Sequence, residues 1–128
     1  MSKIKPVLTD KAPAPIGPYS QSVKAGDFLF CSGQVAIDPA TSKLIDADVS
    51  AQTEQALKNA GAILKAAGLD FTDVIKTTIF LADMADFAAV NAVYGTYFAE
   101  TKPARSTIAV AGLPLGARVE IEIVALRK

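Results

Sequence analysis

The chain has 128 residues, 51% of them apolar, and its 13 basic residues balance 13 acidic ones to a formal net charge of zero. That length suits one domain with a real core, so residues 1–128 are read as a single unit; the neutral balance gives no electrostatic reason to expect nucleic acid, and no run approaches a membrane span. Histidine is absent, which removes the commonest general base, the serine and cysteine triads and histidine metal sites, and there is no Gly-x-x-x-x-Gly-Lys phosphate loop.

Pro6, Pro13, Pro15, Gly17 and Pro18 make residues 1–18 an irregular arm, extended rather than helical through Ala12-Pro13-Ala14-Pro15. Its start, Met1 to Pro6, lacks the apolar core of a secretion signal. Tyr19 closes the arm, either capping the core edge or turning its hydroxyl to a cleft. Ser20–Lys24 and Phe28–Gly33 are expected to form a hairpin around Ala25-Gly26-Asp27. Cys31, the lone cysteine, permits no intrachain disulfide and reads as a small core residue, which fits a reducing compartment such as the cytoplasm. Ser32-Gly33 offers a hydroxyl and a bare backbone amide to a ligand, or is simply a strand exit into the turn Asp38-Pro39-Ala40-Thr41.

Asp48 is placed as the N-cap of a helix over Val49–Ala67, with Gly68 ending it and Leu69 folding back. Asp73–Leu81 is a β-branched strand with Ile75, Ile79 and Leu81 on one face and Val74, Lys76, Thr78 and Phe80 on the other. A second helix starts near Asp83 or Asp86 and runs to about Ala99, with Phe87, Val90, Tyr94 and Phe98 as its stripe. Asn91 lies inside that stripe. As a buried amide it needs partners: a strand-edge or loop carbonyl, or a polar group of a site.

The stretch from Pro103 to Ile108 and the stretch from Val119 to Ile123 read as two strands joined by the Gly/Pro turn Gly112-Leu113-Pro114-Leu115-Gly116. With the apolar faces aligned on one core, alternation gathers Arg105, Thr107, Glu120 and Glu122 on the other side. Only three arginines and four glutamates exist in the chain. Their gathering is either a solvated face of weak ion pairs or a site for a planar anion, which guanidinium holds with two parallel hydrogen bonds.

The order is β-β-α-β-α-β-β. Right-handed crossovers place both helices on one sheet face, expected to carry Leu29, Ile75, Ile79, Ile108, Val110, Val119, Ile121 and Ile123. The opposite face, with Phe28, Phe30, Val74, Phe80, Val124 and Leu126, has no segment left to cover it and calls for another subunit. The polar set then falls near a subunit boundary, a common place for a small-molecule cleft.

Ile16-Gly17-Pro18-Tyr19-Ser20-Gln21, Ser32-Gly33-Gln34 and above all Pro103-Ala104-Arg105-Ser106 with Val119-Glu120-Ile121-Glu122 resemble the reactive-intermediate deaminase family (RidA, also called YjgF) over essentially the whole chain. The resemblance implies a chorismate-mutase-like α+β subunit in a homotrimer, sheets inside, helices outside, with three sites between neighbouring subunits. It implies hydrolysis of 2-imino acids such as 2-iminobutanoate and 2-iminopropanoate, or their enamine tautomers, to 2-oxo acids and ammonia, without cofactor or metal. Such imines leave pyridoxal-phosphate dehydratases and damage other enzymes of that class. Carried onto this chain, Arg105 clamps the carboxylate, Glu120 holds or activates water, and Tyr19, Ser32, the Gly33 backbone and Asn91 line the pocket. Thr107 stands where close relatives often have cysteine; its backbone carbonyl still binds the imine nitrogen in that scheme. Two other functions compete: a trimeric module that binds small carboxylate metabolites without turning them over, and an RNA-directed activity, which zero net charge disfavours.

Overall fold

A computed structural model describes residues 3–128; Met1 and Ser2, the start of the expected arm, lie outside the described residues. The elements in chain order are β1 (Ile4–Val7), β2 (Ser22–Ala25), β3 (Phe28–Cys31), β4 (Ile37–Asp38), β5 (Lys43–Leu44), α1 (Val49–Ala66), β6 (Val74–Leu81), α2 (Phe87–Phe98), β7 (Ala104–Ala109) and β8 (Val119–Leu126). Six strands form one sheet in the order β1-β2-β3-β8-β6-β7, and β4 and β5 form a separate two-stranded ribbon. Among the described residues only β7 runs parallel to its neighbour, β6. The fold is thus α+β, one main sheet with two helices.

Local chemistry fixes both ends of α1. The Asp48 carboxylate accepts from the Ala51 N–H at 2.8 Å, satisfying one of the orphan donors of the first turn. At the other end Gly68 takes φ 76°, its N–H donates to Lys65 and that of Leu69 to Leu64, the paired bonds that close a helix at a left-handed residue. Leu69 then packs back on the core. Asp83 caps a short 3-10 turn, Met84–Asp86, that leads into α2. Val90, Tyr94 and Phe98 of α2 join Leu57, Ile63 and Leu64 of α1 against Ile79, Val119, Ile121, Ile123 and Ala125 of the sheet in one buried cluster. Among the described residues no helix is long and apolar enough to cross a membrane.

Four expectations need correction. Residues 4–7 of the supposed irregular arm form β1; Pro6 is tolerated because β1 is an edge strand. The expected turn at 38–41 is present, with the Thr41 N–H donating to Asp38, but the segments on either side of it, read as plain chain, pair as the ribbon of β4 and β5. Third, the strands carrying Arg105 and Glu120 are not a hairpin: β6 lies between them. β7 follows β6 through α2 and takes the parallel slot beside it, while residues 110–118 carry the chain past the end of β6 to the centre of the sheet. The most apolar alternation in the chain, Val119, Ile121, Ile123 and Ala125, sits there fully buried.

Fourth, the faces change. In the pairing, Arg105 shares a row with Thr77 and Ile123, and Thr107 with Ile79 and Ile121, so both stand on the helix face. Ile108 shares a row with Phe80 and Glu120, and Ser106 with Thr78 and Glu122. A register shift between Val74 and Lys76 adds one residue to β6. A bulge flips alternation, so Val74 is buried under the helices and Ile75 is exposed. The open face carries Phe28, Phe30, Ile108, Val124, Leu126 and Phe80, with Phe30 and Ile108 49% and 46% exposed.

Candidate active site

The predicted residues fall into two groups, one on each side of the sheet. The first surrounds a cavity of about 290 Å³ lined by Pro13, Ala14, Ile16, Tyr19, Gly33, Pro114, Leu115 and Glu120, among others. Tyr19, half exposed, faces this cavity, and its hydroxyl accepts from the Ile16 N–H at 3.4 Å; it does not cap the core. Ser32 instead turns inward: its hydroxyl donates to the Ser20 carbonyl at 2.6 Å and its N–H to Gln21, so its side chain ties two loops together. Gly33 matters by what it lacks. A Cβ there would stand 2.8 Å from the Glu120 carboxyl carbon, so a side chain at 33 would displace the carboxylate from its place across the backbone. Burial, and then the charge of Glu122, raise the proton affinity of Glu120 above that of an ordinary carboxylate. Leu115, at φ 59°, holds a left-handed conformation costly for a branched side chain and rims the same cavity.

The second group is built by α2 and β7. The Arg105 guanidinium donates to the Asn91 side-chain oxygen at 2.7 Å. It lies over the rings of Tyr94 and Phe87, 4.9 Å and 5.6 Å from their centroids, contacts that favour a cation. Tyr94 is in turn fixed by a 2.7 Å bond to the buried Thr77 hydroxyl. Of the two readings of Asn91, the one in which it orients a polar group fits; it is exposed rather than buried. Phe87, Asn91 and Tyr94 recur at helical spacing, so this splint was visible as one stripe, which sequence reasoning gave to the core. Thr107, two residues beyond Arg105, has a buried hydroxyl without a hydrogen-bond partner among the described residues. β7 is the sheet's edge, so this group faces outward beside unpaired backbone.

Arg105 and Glu120 therefore cannot meet within one chain. Each is preorganised, on opposite faces of a sheet. The Cys31 thiol takes no part: burial pushes its pKa up to about 12, which leaves it an inert core group.

Residues 9–127 match the family described as Endoribonuclease L-PSP. The chain belongs to that family. It is the family, RidA or YjgF, that the Pro-Ala-Arg-Ser block resembles. Among its members, the chain is 53% identical to a Mus musculus protein named 2-iminobutanoate/2-iminopropanoate deaminase, over 96% of this chain and 91% of that one. Among solved structures, a putative endoribonuclease from Thermotoga maritima superposes with a TM-score of 0.95 at 47% identity, covering 97% of this chain and 98% of that one. E. coli TdcF with bound serine superposes with a TM-score of 0.91 at 44% identity, covering 97% and 99%.

Proposed function

We propose that this protein hydrolyses 2-imino acids, 2-iminobutanoate and 2-iminopropanoate among them, to 2-oxo acids and ammonia. Near full-length similarity to an enzyme named for that reaction carries the reading, and the chemistry of the two residue groups agrees with it. An imine carbon is already electrophilic, so the protein must orient the substrate, place a water and move protons. Arg105, splinted by Asn91, Phe87 and Tyr94, presents its remaining N–H groups to the substrate carboxylate. The Thr107 carbonyl takes the imine N–H. Glu120 accepts a proton from water as the water oxygen bonds to C2. The imine nitrogen, protonated on binding, becomes the neutral amine of the carbinolamine; the proton held by Glu120 then passes to it, and Glu120 takes the carbinolamine hydroxyl proton as the carbon–nitrogen bond breaks and the C2 carbonyl forms. Water is consumed, ammonia leaves, and no electron changes hands. Removing such imines protects pyridoxal-phosphate enzymes, and we assign the work to the cytoplasm.

The site is completed by assembly. Opposite-face placement of Arg105 and Glu120, together with the bare apolar face around Phe30, Ile108 and Leu126, supports a closed homotrimer with the open faces inward. One subunit then supplies Arg105, Asn91 and Thr107, and its neighbour supplies Glu120, Tyr19 and Gly33. Small molecules, rather than nucleic acid or membrane, are the partners of such a cleft.

A second reading is favoured by serine bound in the related TdcF: a module that holds a carboxylate metabolite and leaves it unchanged. Release of 2-oxobutanoate by a threonine dehydratase separates the two. Added protein should accelerate the step from imine to oxo acid. An unchanged rate with tight amino-acid binding would make the protein a binder.

A further inference from the structure

Gln21 is 2% exposed and is itself one of the residues lining the cavity that holds Glu120. Its carboxamide makes four hydrogen bonds, all to the arm. The Thr9 N–H donates to Oε1 at 2.7 Å. Nε2 donates to the carbonyls of Thr9 at 2.9 Å, Ala12 at 3.2 Å and Pro13 at 2.8 Å. The arm has few other anchors. Pro13 and Pro15 have no N–H, so this stretch cannot pair as a strand, and of its side chains Ala12 enters the core. The segment so held supplies Pro13, Ala14 and Ile16 to the cavity wall facing Pro114, Leu115 and Glu120. A buried amide is costly to leave unpaired, and here its four bonds all go to one segment, which walls the cavity and sends Ala12 into the core.

We infer that Gln21 is a positioning residue: its carboxamide clamps residues 9–16 so that they form the apolar wall receiving the substrate's side chain. The inference rests on the imine-hydrolysis reading. The wall touches neither the substrate carboxylate nor the water, so it contributes binding that is equal in ground and transition states. Loss of such binding raises KM and spares kcat. The loss grows with the length of the side chain, since a methylene in an apolar pocket is worth about tenfold or more.

The test is Gln21→Met, which keeps the volume and removes every bond. Steady-state hydrolysis of 2-iminobutanoate and 2-imino-4-methylpentanoate, each generated in place by an amino-acid oxidase with catalase, is compared with trypsin cleavage after the exposed Lys11. Cleavage should quicken. KM should rise for both substrates, and by about tenfold or more further for the branched one than for the short one, with kcat held within about twofold. Ile16→Ala, at a 71% exposed position that does not threaten folding, should reproduce the size-dependent KM rise. An even fall in kcat for both substrates, unchanged cleavage, or an Ile16→Ala protein with wild-type KM for the branched substrate would overturn the inference. A wild-type protein inactive on both imines would instead sink the functional reading on which it rests.

Discussion

Glu120→Gln is expected to fold and assemble as the wild type does and to lose ~10²–10⁴-fold in kcat on 2-iminobutanoate, the usual contribution of a positioned general base. The amide has the shape of the carboxylate and so keeps its place across the Gly33 backbone. It cannot take a proton from water. The pH profile gives an independent reading. A base works only when deprotonated, so activity falls as pH drops through its pKa. Burial and then Glu122 raise that pKa. Glu122→Gln removes the second cause and leaves the first, so the acid limb of kcat/KM should move to lower pH while the plateau stays. A wild-type kcat in Glu120→Gln, or an acid limb unmoved in Glu122→Gln, would assign the water to another group.

Arg105→Lys should cost roughly one to two powers of ten in kcat/KM. The charge survives, and with it general attraction to an acidic substrate. What goes is the planar fork, already aligned by the Asn91 oxygen and stacked on Tyr94 and Phe87. Charge-assisted hydrogen bonds are worth ~1.5–3 kcal/mol each, and a carboxylate held by a single flexible ammonium also lets C2 drift from the water. Because Arg105 is exposed, thermal stability should barely change. Unaltered kinetics with a lowered Tm would make Arg105 a brace between β7 and α2. Within one chain, an ion pair to Glu120 or Glu122, the simplest bland role suggested by alternation, is ruled out by their place on the other face.

What alternation could and could not say is clearest in β7. Its period of two correctly separates Arg105 and Thr107 from Ser106 and Ile108. Which set faces the helices depends on which strand lies next to β7, and that is decided by the crossover through α2, not by β7's own residues. The same dependence misplaced Val74 and Ile75, because a bulge leaves no mark in composition. Helix α1 was legible to its ends because Asp48 and Gly68 act locally. The Arg105 splint was half legible, since Phe87, Asn91 and Tyr94 share a stripe whose direction the sequence does not state. Gln21 was invisible as a clamp: a glutamine's ordinary place is the surface, and its partners are backbone groups 8 to 12 residues away. The bare sheet face was legible from a count of elements, as no third layer remained to cover it.

Mixing two inactive chains tests directly whether the catalytic site is shared between two subunits. Arg105→Ala and Glu120→Gln chains are co-refolded in equal amounts, and hydrolysis of 2-iminobutanoate is measured against each variant alone. Each site in a mixed ring draws Arg105 from one chain and Glu120 from the next, so roughly a quarter of sites are intact by chance. The mixture should show about a quarter of wild-type kcat and either parent almost none. A mixture no more active than its parents, in assemblies verified to contain both chains, would contradict a shared site.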